Sequence, residues 1–174
     1  MQRSHFELFG LSPAFALETE ALERSYREIQ SRVHPDRYAA ASDAERRASL
    51  QWTTRVNEAY RTLKDPVQRG RHLLELQGID VQLETNTQMP TEFLMQQLEL
   101  REELEAASSG KDLARLDGLR KRLLHEKSEI EERLADALDT RKDYVGAAEL
   151  VRKLMFLERL DAEMDAAYEA AESA

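Results

Sequence analysis

His34, Pro35 and Asp36 place an imidazole, an imide nitrogen with no proton to donate and a carboxylate side by side, directly after a stretch that carries Arg24 and Arg27. Two chemistries use such groups. A carboxylate flanked by cations can dock on a partner of complementary charge, and an Asp next to a His can act as a hydrolytic acid–base pair. Hydrolysis would also need a glycine-rich phosphate loop or a nucleophile set by a triad, and the sequence has neither motif. Docking is the expected use, and the chain is not expected to be an enzyme. A plainer alternative stands beside it: Pro35 ends a helix and Asp36 opens a turn.

The elements that must position these residues are amphipathic. From about residue 20 to residue 33, Leu22, Tyr26, Ile29 and Val33 fall within a sector about 60° wide, with Arg24, Arg27 and His34 opposite. Pro35 disfavours helical torsions at His34 and stops the helix there. Beyond the loop, Ser42 and Glu45 have capping-box spacing, and Ala48, Trp52, Val56, Ala59 and Leu63 recur at helical intervals. An antiparallel hairpin with the tripeptide at its tip is predicted, with Trp52 and Tyr60 in its core.

Several ordered blocks now make a resemblance specific. Residues 6–74 resemble a J domain, the co-chaperone module that docks on ATPase chaperones of the DnaK and HscA kind. The blocks are Phe6-Glu7-Leu8-Phe9-Gly10-Leu11, Tyr26, His34-Pro35-Asp36, Asn57-Glu58-Ala59-Tyr60-Arg61-Thr62-Leu63, Asp65-Pro66 and Arg69. Phe93-Leu94-Met95-Gln96-Gln97-Leu98-Glu99-Leu100-Arg101-Glu102-Glu103-Leu104, together with Val151-Arg152-Lys153-Leu154 and Phe156-Leu157, is similar to the HscB family, the specialised J proteins of iron-sulfur cluster biogenesis. The likeness spans essentially the whole chain.

Composition agrees with a helical protein. Of 174 residues, 34% are charged and only 6% aromatic, helix formers abound, and Gly and Pro are few. No credible strand alternation, signal peptide or bilayer-length apolar run is present, so a soluble cytoplasmic protein is expected. There is no cysteine, which excludes disulfides and thiolate ligation of a metal or cluster. His5, His34, His72 and His125 are scattered without zinc-ligand spacing, so neither metal nor cofactor is expected. Residues 1–74 carry 12 Lys plus Arg against 10 Asp plus Glu, and residues 75–174 carry 13 against 24, a net +2 and −11. The asymmetry suggests two domains with different partners, and the acidic half argues against nucleic acid.

The expected architecture is all-α, an N-terminal J domain over residues 1–76, a linker over 77–90 and a C-terminal three-helix bundle over 91–174. Ser4 with Glu7 should cap a short first helix closed by Gly10, and Asp65-Pro66 should start another that Gly78 ends. In the bundle, breaks are expected near Ser108-Ser109-Gly110 and between Asp139 and Asp143, around a stripe of Leu113, Leu116, Leu123, Ile130, Leu134 and Ala137. The first bundle helix has more apolar residues than one face needs. With Phe93 as origin, Leu100, Leu104 and Ala107 lie within about 40°, whereas Leu94, Leu98 and Met95 fall at roughly 100°, 140° and 200°, near Glu99 and Glu102. On the last helix, Leu150, Leu154, Leu157 and Met164 form the stripe and Phe156 points away from it. The residues alone leave open whether these extras dock a partner, are sandwiched in the bundle, or in the case of Phe156 wedge between domains.

The resemblance implies roles. Arg24, Arg27, His34, Pro35 and Asp36 would bind an HscA-type ATPase chaperone and stimulate its ATP hydrolysis. Leu94, Met95, Leu98, Glu99, Glu102 and Phe156 would bind IscU, the cluster scaffold protein; one acidic position of the family's patch is Ala106 here. Membranes and nucleic acids are not expected partners. The absence of a cysteine-rich amino-terminal extension implies a bacterial form, and the lack of a Gly/Phe-rich linker or CxxCxGxG repeats argues against a general unfolded-client J protein. The alternative is a J-domain adaptor for a different client.

Overall fold

A computed structural model describes residues 4–33, 42–81 and 90–172. The tripeptide His34-Pro35-Asp36 and most of the expected linker therefore lie outside the described residues. The chain divides into two compact units, Met1–Leu76 and Gln77–Ala174.

In the first unit, helix boundaries follow from side chains that satisfy the free amides of a first turn. The Ser4 hydroxyl accepts from Glu7 N–H at 3.2 Å while the Ser4 amide donates to Glu7 at 2.8 Å, starting α1, His5–Leu8. Gly10 follows at φ +66°, a left-handed torsion that suits glycine. Helix α2 spans Thr19–Val33. Ser42 and Glu45 form the second capping box, opening α3, Asp43–Lys64. Asp65 then caps α4, Pro66–Glu75, accepting from Gln68 N–H at 2.8 Å, with Pro66 in the first turn, where a missing amide proton costs nothing. Arg69 locks the α3–α4 corner: its guanidinium donates to the Leu63 carbonyl at 2.6 Å and lies 4.8 Å over the Phe15 ring.

Contacts between α2 and α3 pair Tyr26 with Asn57 and Val33 with Ser49 and Thr53, so numbers rise on one helix as they fall on the other and the hairpin is antiparallel. Phe6, Leu22, Val56, Ala59, Leu63 and Leu74 form its buried centre. The expected stripe of α3 needs correction at its first two turns. Ala48 and Trp52 are exposed, and Ser49 is buried instead. Trp52 lies at the surface with the Arg55 guanidinium 5.8 Å from its ring centre. Tyr60 is half-buried and stacked on Tyr26.

The second unit packs α5, Thr91–Ser109, α6, Leu113–Ala135, and α7, Tyr144–Glu172, mutually as a three-helix bundle. Asp112 caps α6 by accepting from Arg115 N–H at 3.0 Å. Leu116, Leu123, Ile130, Leu134 and Ala137 are buried along the predicted stripe, with Leu119 added; Leu113 is exposed, because it sits in the first turn, at the end of the helix. The break expected between Asp139 and Asp143 comes late in that interval. Residues Asp136–Arg141 continue α6 as a π-helical turn, closed by Lys142 at φ 54°. Asp143 then accepts from Gly146 N–H at 3.0 Å to start α7. Along α7, Leu150, Leu154, Leu157 and Met164 are buried as predicted. Arg120 straps α6 to α7 by pairing with Asp161 at 3.2 Å and with Asp165, under the Tyr168 ring. Partial burial and a hydrogen bond to Asp117 push the Tyr168 phenol up to about 12.

Two histidines far apart in sequence meet in the first unit. His5 stacks on His72 with centroids 4.2 Å apart, and the His5 amide donates to His72 Nε2 at 3.4 Å. Burial lowers both pKa values; for His5 the neighbouring His72 and Arg55 lower it further while Glu58 and Glu75 oppose, and for His72 Glu75 opposes. A group that is harder to protonate when folded contributes stability in full above its ordinary value of about 6.5 and loses it as the pH falls toward the depressed folded value. The thermal midpoint is therefore expected to drop between about pH 7.5 and about pH 5.5. His72→Gln, which keeps an acceptor for the His5 amide but does not titrate there, should flatten that drop in circular-dichroism melts. An equally steep fall in the variant would clear the pair of responsibility.

Candidate docking surfaces

The first surface is built on α2. Arg24 and Arg27 are exposed, and Arg27 holds Glu23 at 3.0 Å one turn back. An exposed pair of this kind contributes little, roughly 0.3–0.5 kcal/mol, so the guanidinium can exchange Glu23 for a partner's carboxylate at small cost. The orientation of this basic face is set from behind. Tyr26 stacks on Tyr60 of α3 with centroids 4.0 Å apart, donates its hydroxyl to Asn57 at 2.9 Å and accepts from Gln30 at 2.9 Å. These contacts fix the rotation of α2 about its axis. At the end of the helix, the Val33 carbonyl accepts from Ser49 Oγ at 2.7 Å and from Thr53 Oγ1 at 3.1 Å. His34, Pro35 and Asp36 come next in the sequence and lie outside the described residues.

The second surface lies on α5. Phe93, Leu104 and Ala107 are buried in the bundle, while Leu94, Met95 and Leu98 are 48%, 59% and 59% exposed. Glu99 and Glu102 are exposed on the same side. The helix is held at its buried edge by an aromatic pair, Phe93 edge-on to Phe156 of α7 at 5.7 Å. Lys153 lies 5.2 Å over the Phe93 ring and Arg101 5.5 Å over that of Phe156. Polar contacts to α6 tie the other edge, Gln96 to Glu126 at 2.7 Å and Arg122 to Glu103. Three large apolar side chains beside two carboxylates can supply desolvated area to a partner and orient its cations.

Phe156 differs from expectation. It does lie off the Leu150–Leu154–Leu157 stripe, yet it is buried, 6% exposed, rather than standing clear as an anchor. The reason is Phe93, whose ring gives the aromatic a partner inside the bundle that a helical wheel of α7 alone does not contain. The structure thus brings Leu94, Met95, Leu98, Glu99 and Glu102 together on one exposed helix face, with Phe156 beneath its edge. Ala106 is exposed and apolar.

Sequence reasoning passed over Ser49, Thr53 and the His5–His72 stack. For the first two the signal was weak, since at 100° per residue the pair Ser49 and Thr53 lies farther from the direction of Val56, Ala59 and Leu63 than the pair Ala48 and Trp52 does. For the histidines there was none. Among the described residues, no cluster of three or more His, Asp or Glu could hold a metal ion, and no helix is long and apolar enough to cross a membrane.

Known proteins match this arrangement over its length. Residues 89–165 match the family described as the HSCB C-terminal oligomerisation domain. The co-chaperone protein HscB homolog of Burkholderia thailandensis is 50% identical over 169 residues, covering 97% of this chain and 96% of that protein. Among solved structures, chaperone HscB from Vibrio cholerae has a TM-score of 0.83 at 36% identity, covering 94% of this chain and 96% of that one. Human co-chaperone protein HscB has a TM-score of 0.90 at 27% identity, covering 95% and 82%. The all-α fold class, a J-like domain followed by a helical bundle, is shared with these structures. Identity at this level over nearly the full length, on the same fold, means that the chain belongs to the HscB co-chaperone family.

Proposed function

We propose that this co-chaperone is a two-surface adaptor of bacterial iron-sulfur cluster assembly, working in the cytoplasm. Its bundle binds the scaffold IscU through Leu94, Met95, Leu98, Glu99 and Glu102, with Phe156 supporting the row from below. Its J domain presents Arg24, Arg27, His34, Pro35 and Asp36 to an ATP-bound HscA-type chaperone and raises that chaperone's ATP hydrolysis. The chain itself supplies no reacting group; its work is to make scaffold and ATPase meet. The observation that carries the reading is the exposed apolar row on α5, which the bundle core leaves unused although the helix has a complete buried face of its own. Family membership and the basic face of α2 support it from two further directions.

Physical chemistry sets the sizes. Leu94 and Leu98 are already about half buried, so covering them gains roughly half of the 1.5–3 kcal/mol that full burial of such a side chain brings, about 1 kcal/mol each. Leu94→Ala with Leu98→Ala should then weaken IscU binding on the order of 30-fold in titration calorimetry, with the thermal midpoint unchanged because neither side chain is in the core. Phe156→Ala is a poorer probe, since it removes the support of Phe93 and changes stability as well. Absence of IscU binding by the unaltered chain would favour the alternative, an adaptor for a different client.

At the other surface, removing one member of a desolvated charge pair costs about 2–5 kcal/mol. Asp36→Asn is expected to abolish stimulation of the HscA-type ATPase, measured as phosphate release with and without IscU, while circular dichroism stays unchanged. Normal stimulation by this variant would overturn the docking assignment.

A further inference from the structure

The Val33 carbonyl closes the described part of α2. Ser49 and Thr53 reach across from α3 and both donate to this one oxygen, at 2.7 and 3.1 Å. Ser49 is only 5% exposed, a polar side chain in a core position where an apolar one would be the default. The adjacent Thr54 gives the contrast: its hydroxyl folds back on the Leu50 carbonyl of its own helix at 3.0 Å, the ordinary habit of a helical threonine. Two neighbouring turns of α3 thus direct their hydroxyls at the residue that precedes the docking tripeptide in the chain.

We propose that Ser49 and Thr53 are positioning residues for chaperone docking. They hold the end of α2 at a fixed height and angle, so that His34-Pro35-Asp36 starts from one place. Neither residue touches the chaperone; each acts through Val33. The inference rests on the docking function proposed above. Without the clamp the end of the helix samples several arrangements, of which a fraction is competent to dock, and the apparent affinity falls by that fraction while the bound complex is unchanged.

The test is a split between half-maximal concentration and plateau. In the full-length chain, Ser49→Ala with Thr53→Val should raise the concentration needed for half-maximal ATPase stimulation about 5- to 10-fold and leave the plateau and IscU binding as they were. Restoring one hydroxyl with Thr53→Ser in the Ser49→Ala background should recover most of the loss. An unchanged half-maximal concentration, in a preparation where Asp36→Asn abolishes stimulation, overturns the clamp and leaves the docking function standing. Normal stimulation by Asp36→Asn overturns the docking function itself. Should the double variant lose helical content, Thr53→Val alone, at a half-buried site, carries the test, with a rise of about 2-fold expected and no rise counting against the proposal.

Discussion

A helix leaves its first amides and last carbonyls without partners, and in an all-helical chain those ends must be satisfied by something other than the helix. The organisation of this protein follows from how that is done. Ser4, Ser42, Asp65, Asp112 and Asp143 each accept a first-turn amide and so decide where α1, α3, α4, α6 and α7 begin. At Val33, the last described residue of α2, the arrangement is different: its carbonyl is met from another helix, by Ser49 and Thr53. Local caps fix lengths; the cross-helix contact ties two helices together at Val33.

The same economy governs the bundle. A helix wedged against two others can bury only part of its circumference, and α5 fills that part with Phe93, Leu104 and Ala107. Every further large apolar residue on it must face water or a partner. The Phe93–Phe156 contact, with a cation over each ring, keeps the helix from rolling to bury Leu94 and Leu98 in place of Phe93. Stability and presentation are therefore set by one packing arrangement: what buries one face displays the other.

Most of this was legible in residue order. Capping boxes at Ser4–Glu7 and Ser42–Glu45, the Asp65-Pro66 start and the stripes of α6 and α7 are local patterns, and local patterns report local hydrogen bonds and helical phase. The excess of apolar residues on α5 was equally visible, since it needs only an angle of about 100° per residue. An error arose where a contact from another helix overrode the better phase of a stripe. Ala48 with Trp52 and Ser49 with Thr53 differ by one position, and hydrophobicity favoured the pair with the tryptophan; in the fold the two hydroxyls turn toward the Val33 carbonyl of the neighbouring helix.

By itself the sequence determined the helices, their ends, the absence of thiolate chemistry and the membership that its motif blocks announced, because each depends on neighbours within a few turns or on residue identity alone. Tertiary structure decided the rest. It buried Phe156 by supplying Phe93, stacked His5 on His72 across most of a domain's length of chain, and aimed Ser49 and Thr53 at Val33. In each case the deciding partner lies on another helix, and helical periodicity carries no information about which helix, or which of its residues, will arrive at a given face.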